Sequence, residues 1–127
     1  MRYPAHTPAH QPFVDGTARF SRQTVGRRSV VGVTGEVDVH TAPSLRRAID
    51  EAIGAGSAEL WIDLSEADFM DSSGLHALVD AHARVRELER RLTVICPPGP
   101  VRRVIDVSGL ADQLPLAVDR AAAHRAS

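Results

Sequence analysis

The residues best equipped for chemistry stand together as Asp71, Ser72, Ser73 and Gly74, with Glu66 and Asp68 just before them. Two hydroxyls beside a carboxylate admit two kinds of reaction. A serine can attack an electrophile when a neighbouring base takes its proton. It can also accept a phosphoryl group from an enzyme that brings its own base, metal and nucleotide. The first reaction needs a base and a projecting turn. His76 lies four residues after Ser72, but the G-x-S-x-G elbow of serine hydrolases is missing and His76 falls on an ordinary helix face. We therefore expect no catalytic residues and no cofactor. The second reaction asks only for a hydroxyl in a fixed, accessible place.

Other candidates carry less. His6 and His10 are four apart, yet Pro4, Pro8 and Pro12 break the helix that such a metal site needs. No metal site is expected. Cys96 is the only cysteine, and its setting, LTVIC, reads as a strand with a buried, inert thiol. An intrachain disulfide is excluded, which fits a reducing cytosol. The net charge of −1 argues against a broad nucleic-acid-binding field. Arg84, Arg86, Arg90 and Arg91 spread over several helix faces without aromatic stacking partners and read as solvated surface. Charge is uneven, however. Residues 36–71 hold nine acids against two arginines, and the Asp71 tetrad closes that block. No apolar run approaches the ~20 residues of a membrane helix. The N-terminus lacks an apolar signal core. A cytoplasmic protein is expected.

The elements that must position the tetrad follow from pattern and punctuation. Residues 1–16, rich in proline and histidine, read as a disordered tail. Residues 17–22 and 29–34 read as two strands of an antiparallel hairpin turning near Val25 and Gly26. A loop is expected over Gly35–His40. A helix then starts with Thr41 as N-cap and Pro43 in its first turn. Leu45, Ala48, Ile49, Ala52 and Ile53 repeat at helical spacing, and Gly54 and Gly56 stop it. Residues 58–64 form a short apolar run typical of a strand covered on both faces. A loop follows, with Asp71 as the N-cap of a helix over 72–90. Met70 and Leu75 would then form a hydrophobic staple across its start. Residues 92–96 read as a buried strand and 101–107 as a helix. Residues 114–116 read as a brief edge strand, and the alanine-rich end as a short, fraying helix.

Helical connections between successive strands imply parallel pairs with right-handed crossovers. The expected class is α/β: a mixed sheet of four to five strands with helices packed against it. In such sheets, partners meet the loops at the carboxyl ends of the strands.

Three segments, in order, resemble one family. FMDSSGL (residues 69–75) closely resembles the phosphorylation-site segment of bacterial anti-sigma factor antagonists, which have the STAS fold. GEVDVHTAPSLRRAI (35–49) is similar to the loop and first helix of that family, and VRRVIDVSGL (101–110) to its third helix. The resemblance covers roughly residues 17–118, leaving 119–127 as a short C-terminal helix or frayed tail. It implies Ser72 as the phosphoacceptor, with Ser73 as second candidate. It also implies a partner, an anti-sigma factor that is itself a serine kinase, bound by the unmodified chain so that a sigma factor is released. Phosphorylation would end binding, and a PP2C-type phosphatase would reset it. The docking face would join Glu36, Asp38, His40 and Thr41 to Asp71, Ser72, Ser73 and Gly74, with Asp38 either touching the partner or holding its own loop. The chain would act as a monomer or weak homodimer. The alternative is a STAS scaffold in a stress-sensing or lipid-transport complex without a sigma-factor role.

Overall fold

The computed structural model describes residues 13–126. Along the chain run β1 (Phe13–Asp15), β2 (Ala18–Val25), β3 (Arg28–Val37), α1 (Ala42–Gly54), β4 (Glu59–Met70) and α2 (Ser72–Glu87). Then come β5 (Arg91–Ile95), α3 (Pro100–Ser108), a 3-10 turn (Ala111–Gln113), β6 (Leu116–Ala117) and α4 (Arg120–Ala126). The six strands form one sheet in chain order. β1, β2 and β3 are antiparallel neighbours, whereas β3–β4, β4–β5 and β5–β6 are parallel. The α/β class, the mixed sheet and the opening hairpin are those expected.

Strand order never reverses, so successive right-handed crossovers put α1, α2 and α3 on the same face. Ile49, Leu78 and Ile105 from those helices share one buried cluster with Val31, Val33, Ile62 and Val94 of the sheet. The alternate residues of the strands face the other way. There Val30, Trp61 and Ile95 bury against Ala123 of α4. The C-terminal segment is therefore a docked helix as far as Ala126, not a frayed end.

Four boundaries differ from expectation. The sheet has six strands because Phe13–Asp15, inside the segment read as a tail, pairs with β2. Three residues are too few to show a period, and only pairing defines this strand. Residues 1–12, including His6 and His10, lie outside the described residues. β3 runs on to Val37 and β4 to Met70, through stretches read as loops. The β3–β4 register slips between Gly32 and Thr34 and again between Gly35 and Glu36. Each slip adds a residue on β4 and resets the alternation of faces. Finally, α2 ends at Glu87 and its expected last apolar residue, Leu88, is exposed.

Candidate functional site

The parallel pairing of β3 with β4 brings their carboxyl ends side by side. Val37 lies opposite Met70, and the Asp71 backbone N–H donates to the Val37 carbonyl at 3.1 Å. The two segments singled out in the sequence thus meet at one edge of the sheet.

Asp71 adopts extended backbone angles and caps α2. Its carboxylate accepts from the Ser73 N–H at 2.8 Å and, more weakly, from the Gly74 N–H at 3.4 Å. These donors have no partner within the helix, so the cap satisfies them. Met70 and Leu75 are both buried in the main core, as a staple across the helix start would be. Ser72, at the first helical position, is exposed, and Ser73 is half-buried. Among the described residues, the Ser72 hydroxyl has no hydrogen-bond partner.

Gly74 behaves differently from expectation. It is buried, and a Cβ there would lie 2.6 Å from Met70 Cγ and 3.0 Å from Val37 Cγ1. Its lack of a side chain lets α2 settle on Met70 and Val37. The surface it admits is internal.

The 38–41 loop is held by its own side chains. The Asp38 carboxylate accepts from the His40 N–H at 2.9 Å and the Thr41 N–H at 3.1 Å. The Thr41 hydroxyl donates to the Glu36 carbonyl at 3.1 Å and accepts from the Asp38 N–H at 2.9 Å. Thr41 therefore makes no side-chain cap to α1, contrary to expectation. It is buried and points its hydroxyl back into the turn. Asp38 holds the loop. The Thr41 N–H does most to keep the Asp38 carboxyl below the ordinary aspartate range; burial opposes it as the next-largest effect, and the His40 N–H, the Thr41 hydroxyl and the nearby His40 charge add smaller lowering contributions. Glu36 and His40 remain exposed.

Six predicted residues thus present exposed or half-exposed groups at this edge: Glu36, Asp38, His40, Asp71, Ser72 and Ser73. Thr41 and Gly74 shape it from inside. The structure adds apolar surface that spacing did not reveal. A groove between α2 and α3 is lined by Ser72, Leu75, Arg103, Val104, Val107 and Ser108. Val107 is 82% exposed and Val39, in the loop itself, 61%. Val107 breaks the Val101–Val104–Ile105 spacing of α3, and that off-pattern position was the sequence signal for an outward-facing apolar residue. Cys96, by contrast, is buried, and burial raises its thiol pKa.

The STAS domain model of protein families matches residues 19–123. An anti-sigma F factor antagonist of Paenibacillus polymyxa is 33% identical over 88 residues, which cover 68% of this chain and 75% of that protein. The crystal structure of an anti-sigma factor antagonist from Mycobacterium paratuberculosis superposes with a TM-score of 0.81 at 30% identity, covering 89% of this chain and 96% of that one. The Bacillus cell fate determinant SpoIIAA in its phosphorylated form superposes at 0.63 with 26% identity, over 85% of this chain and 99% of the other. By a match that spans most of its length and by a shared fold, the chain belongs to the STAS domain family.

Proposed function

We propose that this chain is a cytoplasmic anti-sigma factor antagonist whose unmodified form binds an anti-sigma factor with serine kinase activity, and that a phosphoryl group on Ser72 turns binding off. The observation that carries this reading is the exposed, unpartnered Ser72 hydroxyl in the first turn of α2, beside the edge formed by the 36–41 and 70–74 segments. The similarity to anti-sigma factor antagonists, one of them solved in a phosphorylated form, supports it.

The chemistry asks little of this chain. Ser72 Oγ attacks the γ-phosphorus of ATP, the bond to the β,γ-bridging oxygen breaks, and ADP leaves. The serine proton passes to a base in the kinase, which also holds the metal and the nucleotide. The first turn of α2 tolerates the added anion because its end carries a partial positive charge. A partner does not. Glu36, Asp68 and Asp71 already make the edge acidic, and phosphate adds about −1.5 to −2 charges. Leaving such a charge buried and unpaired in a complex costs about 3–5 kcal/mol, a 100-fold or larger loss of affinity. A PP2C-type phosphatase would restore the binding form.

Mixing the chain with a kinase-type anti-sigma factor and Mg-ATP tests the reading. Wild type should gain one phosphate and lose the partner. Ser72→Ala should stay unmodified and bound, and Ser72→Asp should bind weakly without ATP. Phosphate appearing on Ser72→Ala would move the site to Ser73.

A further inference from the structure

Ser72 does not face open water on every side. It lines the α2–α3 groove together with Arg103 of α3. Arg103 is exposed and forms no ion pair among the described residues. Its neighbour Arg102 is already engaged, with its guanidinium 3.2 Å from Asp106 on the next turn. The rest of the groove is Leu75, Val104, Val107 and Ser108. A free guanidinium, an apolar floor and a modifiable hydroxyl therefore share one concavity.

We propose that Arg103 receives the phosphoryl group carried by Ser72, so that the modified state is closed over the α2–α3 groove by an internal ion pair. This rests on Ser72 being the modified residue. Arginine suits the task because its planar fork matches two phosphate oxygens at once. The apolar lining excludes some water and strengthens the pair relative to a fully solvated one. Other charges near Ser72 do not compete for the role: Asp71 and Asp68 are acids, and Arg102 is held by Asp106. His76, one turn along α2, is the only other titratable cation on that element's first two turns. The consequence is a switch with two parts. Phosphate brings repulsive charge to the docking edge, and the recruited guanidinium also covers the apolar surface of Leu75, Val104 and Val107. A partner that uses that surface loses it at the same time.

The test installs phosphoserine at position 72 during translation, so no kinase is involved, and follows its phosphorus resonance by NMR against pH. A His76→Gln background removes the neighbouring imidazole on α2. With Arg103 present, the second phosphate ionisation should fall below its usual value of about 6. Arg103→Gln should raise the midpoint by about half a pH unit, as expected for a solvent-accessible pair. Equal midpoints with and without Arg103 would overturn the proposal. So would an equal shift from Arg102→Gln, which would mark a diffuse field. The same phosphorylated preparation, offered to the partner, tests switching separately. Retained binding would overturn the switch while leaving the titration result intact.

Discussion

Asp38 works inward at the residue scale. Its carboxylate gathers two backbone N–H groups and fixes the 38–41 turn beside Ser72. Those bonds, led by that from Thr41, hold its pKa down. A lowered folded-state pKa gives stability that is present above the unfolded value of about 3.9 and is lost as pH falls through the folded value. The turn should keep its form at neutral pH and loosen only in strong acid. An NMR titration of the Asp38 carboxyl should give a midpoint below about 3.9, with the His40 and Thr41 amides shifting in step. Asp38→Asn, which retains an acceptor oxygen without the charge, should abolish that dependence. A midpoint at the ordinary value would mean that the turn does not rely on the ionised group. The cap at this scale was legible: an Asp before two serines announces it, and Asp71 accepts from the Ser73 and Gly74 N–H groups. What Thr41 and Gly74 do was not, since a cap residue and a buried threonine, or a contact glycine and a packing glycine, look alike until their neighbours are known.

At the scale of elements, the β3–β4 pair sets the geometry of the site. Gly35 has φ +91°, and a Cβ there would fall 2.0 Å from the Thr17 carbonyl oxygen. Strain and a backbone clash coincide, so Gly35→Ala should destabilise the fold by about 2–4 kcal/mol. Urea unfolding measures it, and a loss below about 1 kcal/mol would show that β2 can retreat from β3. The helices were readable because Leu45, Ala48, Ile49, Ala52 and Ile53 keep one period from end to end. The carboxyl halves of β3 and β4 were not. Ser65, Glu66, Asp68 and Phe69 are all exposed, and register slips break the alternation that marks a strand. These exposed, aperiodic residues look like loop and are held in the sheet by pairing alone.

At the scale of the whole molecule, the described residues form two unequal cores, one under three helices and one under α4 alone. Trp61 anchors the smaller. The Arg28 guanidinium lies 3.8 Å from its ring centroid, and His124 of α4 meets the ring edge-on at 4.8 Å. Its indole N–H donates to Glu59 at 3.1 Å, and Arg120 pairs with Asp63 at 2.8 Å to fasten α4 nearby. Trp61→Ala should cost about 3–5 kcal/mol, and the amides of α4 should exchange with solvent well before those of α2. Unchanged exchange in α4 would show that its ion pair and Ala123 suffice to hold it. Sequence by itself determined the class, the helices facing the main core and the Asp71 cap of α2. All of these rest on local period and local capping, which neighbouring residues settle among themselves. Tertiary structure alone decided the sixth strand, the long β4, the docking of α4 and the groove that Ser72 and Arg103 both line. Each depends on contacts between residues far apart in the chain, and no periodicity records which distant surface will come to rest against which.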